Sequence, residues 1–138
     1  MTRPGPLVVL AEDDEDDYTL TRGAFEAAGM TRPMLRVKNG EELLALLAAG
    51  TLGAVILLDL NMPRMDGRET LRRLKTDARL RRLPVVVLTT SCADEDVTLA
   101  YELGASSYLC KPLGFQEFVA LAASFLAYWT GAVVPSPS

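Results

Sequence analysis

Apolar residues run almost without interruption through LVVLA at 7–11, AVILLD at 54–59 and PVVVLT at 84–89, with a shorter run, SSYLC, at 106–110. The runs are rich in Val, Ile and Leu and do not alternate with polar residues. Such continuity suits strands buried on both faces of a parallel sheet. MLRVKN at 34–39 is weaker and more polar, as expected of an edge strand. Between the runs the apolar spacing changes to that of helices. Residues 16–28 place Leu20, Ala24, Phe25 and Ala28 on one face, with Gly29 as the stop. Residues 41–49 open with acids and stop at Gly50. Residues 66–78 turn Leu71 and Leu74 inward. Residues 94–103 carry Val97, Ala100 and Tyr101 and stop at Gly104. Residues 115–130 form a broad stripe of Phe115, Phe118, Val119, Ala122, Phe125, Leu126 and Trp129.

Five strand–helix pairs in strict alternation predict a doubly wound five-stranded parallel α/β sheet with helices on both faces. In such sheets ligands sit beyond the carboxyl ends of the strands. The residues just after each run therefore carry the functional reading.

Composition narrows the chemistry. The chain has 138 residues, 49% of them apolar, which fits one globular domain. No apolar run reaches the ~18 residues of a membrane span, and the N-terminus lacks a signal-peptide stretch, so a cytoplasmic protein is expected. Two cysteines, Cys92 and Cys110, are too few for a disulfide framework and fit a reducing compartment. Each could be a reactive thiol, but a small buried apolar residue is the expectation. There is no histidine, which excludes imidazole-based triads, metal ligands and phosphohistidine on this chain. Residues 1–6 are read as an extension and 131–138 as a tail, leaving 7–130 as the domain.

Charge is segregated. The net charge is −4, yet residues 68–82 hold Arg68, Arg72, Arg73, Lys75, Arg79, Arg81 and Arg82. No aromatics interleave and the whole protein is acidic, so this is read as a solvated face and loop rather than a nucleic-acid surface. The opposite extreme is AEDDEDD at 11–17, with six acids in a row. It is not an EF-hand: the glycine and the bidentate glutamate such a loop needs are Tyr18 and Ala24.

The strand ends converge on one chemistry. The first supplies Glu12 and Asp13, the third Asp59, the fourth Thr89 and Thr90, and the fifth is followed by Lys111-Pro112. Three close carboxylates cannot all stay ionised beside one ammonium without a further cation. Mg2+ suits such oxygen ligands. The remaining acids, Asp14 to Asp17, fall at a helix start, where the macrodipole favours negative charge. Asp59 at a rigid strand end can attack phosphorus, giving an acyl phosphate.

LVVLAED, ILLDLNMPRMDG, LPVVVLTTS and GASSYLCKP stand in order. In these motifs the chain resembles the receiver domain of bacterial two-component response regulators over roughly residues 6–130. The resemblance implies a (βα)5, flavodoxin-like receiver with strand order 2-1-3-4-5. It implies that Asp59 is the phosphoacceptor, that Glu12, Asp13, Asp59 and the main-chain carbonyl of Asn61 hold Mg2+, and that Lys111 pairs with the phosphoryl group. Pro112 resembles a proline often preceded by a cis bond. Thr89 and Tyr108 resemble the switch pair, and Asn61 and Ser91 the positions that tune dephosphorylation. A histidine kinase is the implied phosphodonor, and output is expected through protein contact because little chain follows the last helix.

The acidic run, LNMPRMDGRE, LTTS and the aromatic last helix are similar to stand-alone regulators of phytochrome-type kinases, including bacteriophytochromes. Such regulators tend to dimerise through the fourth helix, fifth strand and fifth helix. The surplus of apolar residues in 115–129 points to the same face, with Phe118, Phe125 and Trp129 as candidates. Two rival readings remain. An Asp-nucleophile, Mg-dependent phosphohydrolase needs a second Asp two residues after the first, where this chain has Asn61. A partner-binding pseudo-receiver would need none of the strand-end groups.

Overall fold

The structure is a computed structural model that describes residues 7–50, 54–62 and 65–129. Its elements alternate: β1 (Leu7–Ala11), α1 (Glu15–Ala27), β2 (Leu35–Val37), α2 (Gly40–Ala48), β3 (Ala54–Leu58), α3 (Gly67–Thr76), β4 (Val85–Thr89), α4 (Asp94–Glu102), β5 (Ser107–Cys110) and α5 (Phe115–Trp129). The strands form one parallel sheet in the order β2-β1-β3-β4-β5. The polar strand β2 lies at one edge, as its composition predicts.

Side chains on a strand alternate between faces, and here both faces are covered. Val8, Leu10, Val55, Leu57, Val86 and Leu88 pack with Ala24 and Phe25 of α1 and Phe118, Ala122 and Phe125 of α5. Val9, Ala11, Ile56, Leu58, Val85 and Val87 pack with Leu43 and Leu47 of α2 and Leu71 and Leu74 of α3. Each Val, Leu, Ile or Phe among them, fully buried, contributes about 1.5–3 kcal/mol relative to exposure. All five residues of β3 and of β4 are buried, which is why those runs show no alternation.

Helix starts are capped by Asp14, Asn39 and Asp66, whose side chains accept from backbone N–H groups of the first turn. Gly29, Gly50 and Gly104 have positive φ and end α1, α2 and α4 where the sequence places stops. Helix α4 is the weakest: Ala93 gives it no side-chain cap and Ala100 is its one buried residue.

Several expectations are corrected. Leu20 is exposed on α1, and Thr21, whose hydroxyl donates to the Asp17 carbonyl at 2.7 Å, is buried instead. Tyr101 of α4 faces outward. Phe118 and Phe125 cannot present a dimer face, because α1 covers them: the Phe25 and Phe125 rings meet edge-on at 5.4 Å. Trp129 is half-buried against Phe125 and Tyr128. The cysteines are neither buried nor separate; both are exposed and bonded to each other. No described peptide bond is cis, so Lys111-Pro112, whose isomer the sequence leaves open, is trans. The expectations for the N-terminal extension and the tail lie outside the described residues.

Candidate functional site

The strand register brings the predicted groups to one end of the sheet. Asp59 N–H donates to the Ala11 carbonyl at 3.2 Å, which holds the end of β3 beside Glu12. Lys111 N–H donates to the Thr89 carbonyl at 2.9 Å, which does the same for β4 and β5. Gly67 lets α3 start against this end. A Cβ there would lie 2.5 Å from both the Asp59 carbonyl oxygen and the Leu60 Cα.

Glu12, Asp59 and Thr89 are buried, and Asp13 is exposed. One carboxylate oxygen from each of Glu12, Asp13 and Asp59 falls within a 4.8 Å group. Lys111 Nζ reaches Glu12 Oε1 at 2.6 Å, Asp59 Oδ2 at 3.3 Å and Asp17 Oδ2 at 3.4 Å. Asp59 Oδ1 accepts from the Thr89 hydroxyl at 2.9 Å and from Asn61 N–H at 3.0 Å. The Asn61 side-chain amide donates to Thr89 Oγ1 at 3.5 Å. Asp59 is thus held in one orientation by two donors and an ammonium, with an edge toward the acid pair.

The electrostatics follow from burial. Desolvation lifts the Glu12 carboxyl to about 7, helped by the Asp59 charge and opposed by the Lys111 hydrogen bond. Burial pulls the Lys111 ammonium down, but the Glu12 hydrogen bond and the charges of Asp59, Glu12 and Asp17 together outweigh it and raise its pKa. One ammonium facing this many carboxylates leaves negative charge to be neutralised, and the donor set is all oxygen. These residues fit a hard divalent cation.

Two residues of this site escaped the sequence reading. Arg36, on the edge strand, donates from Nε to the Glu12 carbonyl at 3.0 Å and from a terminal nitrogen to the Asp13 carbonyl at 3.2 Å. It also pairs with Glu15 and stacks on Tyr18, its carbon centre 4.6 Å from the ring centroid. The hydrogen bond from Arg36 holds the Glu15 carboxyl below its usual range. The acidic run is therefore tolerated through Arg36 and Lys111 as well as through the helix dipole. Asp17 was expected only to sit in the first helical turn, yet it touches Lys111. Both contacts join residues far apart in sequence; the one available signal was the polar character of MLRVKN.

The switch candidates form a second group beside the first. The Ser91 N–H lies 3.4 Å from Thr89 Oγ1, and the Ser91 carbonyl accepts from the Tyr108 hydroxyl. Ser91 Oγ donates to Asp96, which also pairs with Arg68 at 2.8 Å. In the basic segment, Arg68, Arg72, Arg73 and Lys75 are engaged within the chain: the first three with carboxylates, and Lys75 with the carbonyls of Arg81 and Leu83.

A family model of the response regulator receiver domain matches residues 8–123. The chain belongs to that family. FilR2, a probable methanogenesis regulatory protein of Methanothrix harundinacea, is 37% identical over 91% of this chain and 84% of its own length. Response regulator Rcp1 of Synechocystis is 31% identical over 93% of this chain and 91% of its own. Its solved structure, in a Mn2+-bound form, matches with a TM-score of 0.81 over 95% of this chain and 99% of that one, at 30% identity. The phosphorylated cyanobacterial phytochrome response regulator RcpA matches with a TM-score of 0.86 at 31% identity, over 97% of this chain and 99% of its own. This receiver domain is thus similar to phytochrome response regulators in sequence and in fold.

Proposed function

We propose that this receiver domain accepts a phosphoryl group on Asp59 from the phosphohistidine of a histidine kinase and switches partner binding in response. The observation that carries the reading is the Asp59 carboxylate, held between the Thr89 hydroxyl and the Lys111 ammonium beside two further carboxylates. The Asp59 oxygen attacks phosphorus; its O–P bond forms as the donor's N–P bond breaks and the imidazole leaves with the electron pair. Lys111 neutralises the transferred oxygens. Thr89, already donating to Asp59, is placed to donate to a phosphoryl oxygen instead. A change at Thr89 passes to Ser91 and then to Tyr108 through the contacts that join them. Glu12, Asp13, Asp59 and the Asn61 carbonyl would hold Mg2+, which when bound supplies charge neutralisation to the carboxylates and the phosphoryl oxygens. The protein does no turnover beyond its own phosphorylation and dephosphorylation. Asn61 is amide, not acid, at the position where a phosphohydrolase of this type keeps its proton donor.

A phytochrome-type kinase is the proposed donor, on the likeness to RcpA and Rcp1. No helix among the described residues is long and apolar enough to cross a membrane, which supports the proposed cytoplasmic site. A homodimer is proposed on the α4-β5-α5 side, where Leu99, Tyr101 and Tyr128 are exposed. Sedimentation as a monomer with and without an acyl phosphate would remove that proposal.

The test of the main reading is incubation with a small acyl phosphate. The expected result is a mass gain of one phosphoryl group in Mg2+ and none after chelation. Label that ignores chelation contradicts the reading. The raised Glu12 pKa adds a second expectation. Binding a cation there must displace a proton, so Mg2+ affinity rises with pH through about 7 and levels above it. Below 7 it falls by up to ~10-fold per pH unit. Calorimetric titration across pH 6–8.5 checks this, and a pH-independent affinity refutes it.

A further inference from the structure

Cys92 and Cys110 lie 18 positions apart with their Cα atoms 6.0 Å apart, within the range a bridge spans, and their sulfurs are bonded. Neither belongs to either apolar layer, and both are exposed to small molecules in solution. The two layers close without them, so the bridge is not needed to complete a core.

Its placement is informative. Cys110 ends β5, is the ladder partner of Thr89, and directly precedes Lys111. Cys92 lies three residues beyond Thr89 in the loop that leads to α4. The bridge therefore ties that loop back to β5, alongside Thr89 and Lys111, which both contact Asp59. Between its anchors, Ser91 is held by polar contacts to Thr89, Tyr108 and Asp96. The helix that follows has little packing to hold the loop from the other side. Opening the bridge leaves Ser91's hydrogen bonds to hold the loop against β5.

We propose that Cys92 and Cys110 are a redox modification site: a reversible disulfide, exchanged with low-molecular-weight disulfides and thiols, that restrains the loop between Thr89 and α4. In closing, one cysteine thiolate attacks a sulfur of the small disulfide, forming a mixed disulfide and expelling a thiolate. The second cysteine thiolate attacks the protein sulfur of that mixed disulfide and expels the second small thiolate. Two protein thiols are oxidised to one disulfide, the small disulfide is reduced to two thiols, and the two protons pass to the expelled thiolates. Excess small thiol runs the sequence backwards. Exposed bridges are the ones thiol pools reach, and in reducing compartments such bridges act as sensors more often than as staples. An effect on phosphoryl acceptance would rest on the Asp59 reading above; the modification site does not.

The test uses the full chain equilibrated in mixtures of reduced glutathione and glutathione disulfide, then alkylated and weighed. The expected product is one internal bridge, with the loss of two hydrogens, reversed by excess reduced glutathione. Amide exchange in the peptide spanning 90–97 should be at least ~10-fold faster in the open form. Cys92→Ser and Cys110→Ser should show the open rate in either mixture. Glutathione adducts on both cysteines in place of a bridge overturn the site. Equal exchange in both forms overturns the restraint. Labelling with an acyl phosphate in each form separates the two claims. An exchange difference with no label in either form sustains the bridge and counts against Asp59 as acceptor.

Discussion

Asp59→Asn is expected to lower labelling by an acyl phosphate at least ~100-fold while leaving the fold intact. The substitution keeps shape and one acceptor oxygen. That oxygen still receives the Thr89 hydroxyl, now 2.9 Å away, and the Asn61 N–H, now 3.0 Å away. What is lost is the anionic nucleophile. Lys111 keeps Glu12 at 2.6 Å and Asp17 at 3.4 Å, so no buried cation is stranded. Glu12 is relieved of the Asp59 charge and its pKa falls back from about 7. Thermal unfolding should therefore be unchanged or shifted upward. Labelling that survives at a sizeable fraction of the wild-type rate would place the acceptor elsewhere.

Gly67→Ala is expected to have the largest effect on stability. An added methyl would sit 2.5 Å from two backbone atoms, the Asp59 carbonyl oxygen and the Leu60 Cα. Backbone cannot rotate away as a side-chain tip can. Overpacking of this kind costs about 3 kcal/mol, against a gain of at most ~1 kcal/mol from alanine's better helix propensity. The net loss should lower Tm by roughly 5–10 °C. Because the displaced backbone carries Asp59, labelling should slow as well. Gly23→Ala is the control of opposite sign. It lies inside α1, and its Cβ would meet only Phe115 Cε1, at 3.8 Å, so a gain of up to ~1 kcal/mol is expected. Differential scanning calorimetry of both variants distinguishes the cases. Equal Tm values for Gly67→Ala and wild type would show that the close approach is not real.

The sheet was legible because buried parallel strands leave a mark that needs no partner to read: β3 and β4 are apolar at every position. The acid, hydroxyl and lysine at the strand ends were legible for a related reason. A doubly wound sheet places all strand ends on one side, so order along the chain implies proximity in space. What was not legible depends on which element covers which. The wide apolar stripe of α5 suggested a partner surface, but α1 packs on Phe118 and Phe125 within the same chain. Leu20 and Thr21 are neighbours on α1, and only tertiary packing decides that the threonine goes inside. Arg36 serves Glu12 and Asp13 from the adjacent strand, a pairing set by register rather than by spacing. The cysteine pair is of the same kind, since β4–β5 register brings Cys110 opposite Thr89. Local pattern encoded the elements; contacts between distant segments had to be seen.

The central claim is that the oxygen of Asp59 becomes bonded to phosphorus. Its most direct measurement is the position of the label in the wild-type protein after reaction with an acyl phosphate in Mg2+. Borohydride reduction converts an aspartyl phosphate to homoserine, which peptide mass mapping then locates. The account predicts homoserine at position 59 and label that is lost on prolonged alkaline treatment. Label on Thr89 or Ser91, or homoserine at 13 with none at 59, would contradict it.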